Sequence, residues 1–119
     1  MITEEIKQEL TEAGVDYAAL LKRFMNMDKM VEKFLVKFLS DKTMEQYKEA
    51  LDSNDADALF KATHTLKGVC ANLCINCMLD IVTPAVEVYR GGSMNGAVKV
   101  YEQVKAEYDK VCAIINKIA

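Results

Sequence analysis

Proline and glycine are scarce in this sequence, and tryptophan is absent. The 119 residues include one proline and five glycines. Turns and sheet-connecting loops depend on these residue types, so their scarcity favours helices over sheets. No apolar run approaches the roughly 20 residues that span a bilayer. The first nine residues are too charged for a signal peptide. We therefore expect a cytoplasmic, globular protein.

The sequence has no strong excess of positive or negative charge. The net charge is −3, and no stretch is basic enough for nucleic-acid binding. A glycine-rich phosphate loop is absent, and the chain is too short to hold a kinase catalytic domain. We therefore expect no nucleic-acid partner, no membrane association and no use of ATP. The segment between Asp57 and Asp80 has no acidic residue but contains Lys61 and Lys67, which suits an anionic group or an acidic partner.

The chain contains four cysteines, which are Cys70, Cys74, Cys77 and Cys112. In a reducing compartment we expect them to be free thiols that pack as small apolar side chains. The alternative is a metal site, with the first three cysteines spaced C-x3-C-x2-C and Cys112 as a fourth ligand. This spacing is not a usual zinc pattern, so we predict no metal.

Apolar residues recur at steps of three and four, which predicts an all-α protein. We expect a single domain over residues 1–119, an antiparallel up-down-up-down four-helix bundle with additional short helices at the N-terminus. Helix starts are predicted at Thr3, Asp16, Asp28, Ser40 or Asp41, Asp55, Asn76 and Ser93. Alternatively, residues 26–28 only kink one longer helix. Helix ends are predicted at Gly14, at about Asn72 and at Gly91-Gly92. Pro84 is expected to kink the sixth helix.

The helix that begins after Asp55 carries the only histidine of the chain, His64. At about 100° per residue, an apolar stripe centred near Leu66 faces the core, and His64 lies about 160° away, toward solvent. Lys61 and Gly68 share that outer face, and Lys67 lies at its edge. Phe60 lies about 120° from the core centre; it is either an apolar contact beside His64 or half-buried against the next helix.

The run His64, Leu66, Lys67, Gly68 and Leu73 resembles the phosphorylation-site helix of histidine-containing phosphotransfer (HPt) domains of bacterial phosphorelays. That family pattern is His-x-Leu-Lys-Gly, with an apolar residue five positions later and then glycine. Looser similarity in helix number and length extends over about residues 20 to 115. The resemblance supports the bundle that the periodicity predicts.

The resemblance implies a phosphorelay intermediate. His64 would accept a phosphoryl group from an aspartyl-phosphate receiver domain and pass it to another. Lys67 would neutralise the phosphoryl charge, and Gly68 would leave room for the partner. Phe60, Lys61, Ala71 and Arg90 are assigned to the partner-binding surface, Arg90 because family members often place a basic residue there.

The implied partners are response-regulator receiver domains and a sensor histidine kinase. No cofactor is expected on this chain, because the receiver would supply the magnesium ion. We expect a monomer and a phosphohistidine carrier, not an enzyme with kinase activity.

The last position of the family pattern departs. Cys74 stands where the family usually has glycine, so the helix end is expected to differ by one or two residues. Pro84 is the second unusual feature. Together they leave an alternative open, in which the chain is an HPt-like scaffold or interaction module without phosphotransfer.

Overall fold

Helices make up most of the computed structural model, which describes residues 1–118. The predicted domain range 1–119 therefore includes one residue, Ala119, outside the described part. The described residues form seven α-helices and a final 3-10 turn. The helices are α1 Glu4–Ala13, α2 Tyr17–Arg23, α3 Asp28–Phe38, α4 Thr43–Asp52, α5 Ala56–Asn72, α6 Asn76–Arg90 and α7 Ala97–Ile115, and the turn is Asn116–Ile118. Within residues 1–118 there is no β-strand, only one isolated bridge between Val15 and Ile75.

Helices α4 to α7 form a four-helix bundle. Helices α4 and α6 each pack against both α5 and α7, so the four close a ring. Loops of three residues join α4 to α5 and α5 to α6, and such short loops make neighbours antiparallel. The all-α bundle predicted from periodicity is confirmed. Helix α1 packs on α7, and α3 contacts the final turn. Helices α1 to α3 therefore cover the end of the bundle where α7 finishes, in a molecule of 42 × 23 × 21 Å.

The bundle core is apolar and shielded from water. Leu59, Leu66, Met78 and Val104 are fully buried, and each such side chain stabilises the fold by about 1.5–3 kcal/mol relative to exposure. Tyr47 is also fully buried and meets the ring of Tyr101 edge-on, with centroids 4.9 Å apart. Because the bundle is filled by these inward stripes, the outward faces are available for contacts with partners.

Two helix ends are tied together at the covered end of the bundle. Helix α1 stops at Gly14, whose φ is +104°, and α5 stops before Cys74, whose φ is +54°. At the end of α5, the Ile75 amide donates to the Cys70 carbonyl at 2.9 Å, and the Cys74 amide donates to the Ala71 carbonyl at 3.3 Å. This is the Schellman arrangement that glycine usually supports. Cys74 takes that turn, so the expectation that its presence shifts the helix end is wrong, and α5 ends at Asn72 as predicted from the periodicity.

Contacts between these two turns hold α1 against the bundle. The Asp16 amide donates to the Cys74 carbonyl at 3.0 Å, and the Cys77 amide donates to the Gly14 carbonyl at 3.1 Å. A Cβ on Gly14 would come within 2.7 Å of the Cys77 Cβ. The glycine is therefore needed both for its left-handed backbone and for the close approach of α6.

Several predicted helix starts are confirmed. Thr3 caps α1 through the Ile6 amide, at 3.1 Å. Asp16 caps α2. Asp55 caps α5 by accepting from the amides of Asp57 and Ala58, at 3.0 and 3.2 Å. Helix α6 begins at Asn76 as predicted and continues through Pro84 to Arg90, where Gly91 follows.

Three predicted starts need correction. Asp28 is not a cap but the first residue of α3, because its carboxylate accepts from the Tyr17 hydroxyl at 2.7 Å instead. Helix α4 begins at Thr43, later than the predicted Ser40 or Asp41, although Asp41 does accept from the Thr43 amide at 2.8 Å. Ser93 accepts from the Asn95 amide within a turn, and α7 begins only at Ala97.

Candidate functional site on helix α5

His64 is the ninth of the seventeen residues of α5. Both neighbouring helices of the ring, α4 and α6, pack against α5 through the stripe that contains Leu59, Leu66 and Cys70, all fully buried. That packing leaves the opposite face of α5 in solvent, and His64 is exposed there as its helical angle predicts. The imidazole is thus held at the middle of a long, well-anchored helix.

A cluster of side chains from two helices borders His64. The rings of Phe60 and His64, one turn apart, have centroids 5.7 Å apart at an angle of 44°. The guanidinium of Arg90, at the end of α6, lies over the Phe60 ring with its Cζ 4.6 Å from the centroid. The Nε of Arg90 also donates to Glu87 at 3.1 Å. Phe60 is half-buried, and its ring lies beside both the imidazole and the cation from α6.

The two lysines of the outer face are placed differently. Lys61 is exposed and pairs with Asp57 at 3.0 Å, one turn earlier on α5. Lys67 is half-buried and has no ion-pair partner among residues 1–118. An ammonium group without a carboxylate partner is available to an incoming anion, whereas Lys61 would first have to leave Asp57.

Gly68 leaves an open space one turn beyond His64. Nothing lies within 4 Å of the position that its Cβ would occupy, and the residue is exposed. Glycine inside a helix is less favourable than alanine by about 1 kcal/mol, and no close helix packing explains it here. Ala71, another small residue on this side of α5, is half-buried.

The sequence of the bundle also matches a known family. The Hpt domain model matches residues 29–114. The chain belongs to the Hpt domain family. The comparisons with curated proteins and with solved structures returned no significant match.

Membership places this Hpt domain among the histidine phosphotransfer proteins of phosphorelays, as the motif around His64 suggests. Members of the family are phosphocarriers without kinase activity that interact with receiver domains and histidine kinases. None of the helices in residues 1–118 is long and apolar enough to cross a membrane.

The four cysteines of this Hpt domain occupy packed positions away from the outer face of α5. Cys70 and Cys74 are buried, and Cys77 and Cys112 are half-buried. Burial raises the pKa of Cys70 to about 12 and also raises the pKa of Cys77 and Cys112, which favours thiols over metal-binding thiolates. Across residues 1–118, no three His, Cys, Asp or Glu side chains are placed to hold a metal ion.

Two features of the site lie beyond what helical periodicity on α5 can reveal. The stacking of Arg90 on Phe60 depends on how closely α5 and α6 pack, although the Glu87–Arg90 pair at i, i+3 was visible in the sequence. An apolar groove beside the end of α5, lined partly by Phe24 and Phe34, joins the segments 23–41 and 69–73 of the chain. No local pattern could have indicated that groove.

Proposed function

We propose that this Hpt domain carries a phosphoryl group on His64, accepting it from the aspartyl phosphate of one receiver domain and giving it to another. The exposure of His64 at the centre of α5, with an unpaired Lys67 and a clear Gly68 beside it, carries this proposal. Family membership supports the reaction class, and the site residues supply the chemistry.

The transfer requires little from this chain beyond a positioned nucleophile. An imidazole nitrogen attacks phosphorus, the N–P bond forms as the aspartyl P–O bond breaks, and the electron pair leaves with the carboxylate. A carboxylate needs no proton to leave near pH 7, so no general acid is required beside His64. Because phosphoryl transfer depends chiefly on positioning and charge neutralisation, the ammonium of Lys67 is assigned to the phosphoryl oxygens, and the magnesium ion to the receiver.

Arg90 is assigned to the same task. Its guanidinium is held by Phe60 and Glu87, and it can donate to two oxygens of one phosphoryl group. Lys61 and Ala71 are assigned to the surface that the receiver covers.

Phosphorylation of a variant lacking His64 tests the proposal. The wild-type protein and His64→Gln are each incubated with a phosphorylated receiver domain, and acid-labile label is measured. We expect label on the wild type alone. Equal labelling of the two proteins would end the proposal and favour the scaffold alternative.

A second variant tests whether labelling needs the surroundings of His64 or only an exposed histidine. Gln103 is an exposed residue of α7, so His64→Gln combined with Gln103→His keeps one exposed histidine in the chain. We expect this double variant to stay unlabelled, because no Lys67, Phe60 or Arg90 surrounds position 103. Labelling at the wild-type rate would show that the surroundings of His64 contribute nothing.

A further inference from the structure

The loop between α6 and α7 contains the dipeptide Asn95-Gly96. The chain has six asparagines, and only Asn95 is followed by glycine. An asparagine side chain can be attacked by the main-chain nitrogen of the next residue, which closes a five-membered ring. Glycine has no β-carbon beside that nitrogen, so the attack is least hindered when glycine follows.

The structure leaves both reacting groups accessible. Asn95 and Gly96 are both exposed. The main-chain amide of Asn95 donates to the Ser93 hydroxyl at 3.1 Å, but the Gly96 amide donates to no acceptor within residues 1–118. An amide that already faces water can give up its proton and approach the Asn95 side chain without breaking a protein hydrogen bond.

The turn itself requires glycine at the attacking position. The Ala97 amide donates to the Met94 carbonyl at 3.1 Å, which places Asn95 and Gly96 at the two central positions. Gly96 has φ of +72° and ψ of +9°, close to the values of about +80° and 0° at the second central residue of a type II turn. The residue that forms the turn is therefore also the residue that makes Asn95 reactive.

The other asparagines are better protected. The residues that follow Asn26, Asn72 and Asn76 each donate their amide to a main-chain carbonyl, at 3.0, 3.2 and 3.1 Å. Asn54 and Asn116 are followed by aspartate and lysine, whose β-carbons crowd the attacking nitrogen. Reactivity is therefore concentrated at Asn95.

We propose that Asn95 is a site of spontaneous deamidation. The Gly96 nitrogen loses its proton to water or hydroxide and attacks Cγ of Asn95. The new N–Cγ bond forms as the bond from Cγ to the side-chain nitrogen breaks, and that nitrogen takes up a proton and leaves as ammonia. Water then opens the ring. Attack at the main-chain carbonyl gives isoaspartate, and attack at Cγ gives aspartate.

The two products affect α7 differently. Isoaspartate adds one carbon to the main chain between the Met94 carbonyl and the Ala97 amide, which disrupts the turn. Ala97 is the first residue of α7 and only 3% exposed, so the start of the helix loses its fixed position in the core. Aspartate keeps the main chain intact. It adds a carboxylate before α7, whose first turn has no acidic residue, and negative charge is favourable there.

Peptide mapping of the aged protein tests the reaction. The folded protein is incubated at pH 7 and at pH 9, and isoaspartate is labelled by an isoaspartyl methyltransferase with radioactive S-adenosylmethionine. We expect label in the peptide that contains Asn95, and faster conversion at pH 9 because the Gly96 nitrogen must lose a proton. The peptide that contains Asn54 should convert at least roughly tenfold more slowly, because the residue after it has a β-carbon.

Two variants locate the label. Asn95→Ser removes the side-chain amide and should abolish labelling. Asn116→Ser is the matched control, because Asn116 is also exposed and its backbone is right-handed; it should label as the wild type does. Undiminished label in Asn95→Ser would overturn the assignment. So would an Asn95 that stays intact in the folded protein but converts in urea, because the turn would then block the attack.

Thermal melts test the consequence for α7. The isoaspartate form, separated from the unreacted protein by anion exchange, should melt several degrees lower, whereas Asn95→Asp should melt at or slightly above the wild-type Tm. Equal Tm values for the isoaspartate form and the wild type would show that the turn does not hold the start of α7. The chemistry at Asn95 is independent of phosphoryl transfer at His64, so these results leave the proposed function untouched.

Discussion

Gly68 is the residue whose replacement best separates folding from docking. Its Cβ position is empty to 4 Å, so side chains fit in the free protein. Gly68→Ala and Gly68→Gln should both raise the free energy of unfolding by about 0.5–1 kcal/mol, or Tm by about 4 °C. Only glutamine projects far into the space above His64, so only Gly68→Gln should block transfer strongly.

Thermal denaturation and receiver-dependent labelling, run on both variants, test this prediction. Gly68→Ala serves as the control, since it changes helix propensity with one added methyl group. Loss of stability in Gly68→Gln would mean that Gly68 is a packing contact, and the outer face of α5 would then be assigned wrongly.

Lys67 is predicted to act through charge alone. It has no ion-pair partner among residues 1–118, so Lys67→Ala should change the free energy of unfolding by no more than about 0.5 kcal/mol. Transfer to His64 should slow, because one positive charge near the phosphoryl oxygens is lost. Lys99→Ala is the matched control. A fall in Tm with unchanged transfer kinetics would make Lys67 a structural residue instead.

At the scale of single elements, Cys74 occupies the left-handed position at the end of α5 where glycine is usual. Its left-handed backbone costs a non-glycine residue about 1–2 kcal/mol, and the Schellman hydrogen bonds and the contact with the α1 end offset that cost. Of two variants that both remove the thiol, Cys74→Gly should therefore be more stable than Cys74→Ala by about 1 kcal/mol.

Chemical denaturation of these two variants measures that difference directly. Because position 74 lies ten residues beyond His64, both should still accept phosphate at the wild-type rate. Equal stability of the two variants would mean that the backbone at this position is not strained.

The helix starts show where capping can be predicted from neighbouring residues alone. Asp16 and Asp55 each cap a helix as predicted, and within residues 1–118 their carboxylates accept hydrogen bonds only from those helix amides. Asp28 has the same sequence setting, but the hydroxyl of Tyr17 binds it. The same hydrogen bond is the main reason that the pKa of Asp28 is lowered. A cap prediction therefore fails where a residue from another helix offers a better donor.

For the whole molecule, buried phenols and a buried thiol set the response to alkaline pH. Burial raises the pKa of Tyr17, Tyr47, Tyr89, Tyr108 and Cys70, to about 12 for Tyr108 and Cys70. These groups stay neutral in the folded state at pH values where the unfolded chain ionises. Their contribution to stability is complete below the unfolded pKa values, about 8.5 for Cys and 10 for Tyr, and is lost as pH rises through the folded ones.

Thermal melts at pH 7, 9 and 10.5 test this dependence. We expect Tm to change little from pH 7 to about 8.5 and to fall by several degrees by pH 10.5. Tyr108→Phe removes one of the shifted groups and should make the fall shallower. A Tm that stays constant up to pH 10.5 would show that these groups ionise equally easily in the folded and unfolded states.

Local chemistry in the sequence determined the helices, the outward angle of His64 and the family of the protein. Helical periodicity alone separates the buried stripe of Leu59 and Leu66 from the exposed face, and the family pattern lies within eleven consecutive residues. These properties depend on neighbours within a few turns, so they can be inferred without knowing how the helices pack.

Only the tertiary structure decided which distant groups meet. It placed Arg90 over Phe60, directed Asp28 to Tyr17, and joined the turns at Gly14 and Cys74. It also assembled the groove beside α5 from three helices. Each of these contacts depends on the distance and orientation between helices. That geometry results from the packing of the whole core, and no periodic pattern in the sequence reports it.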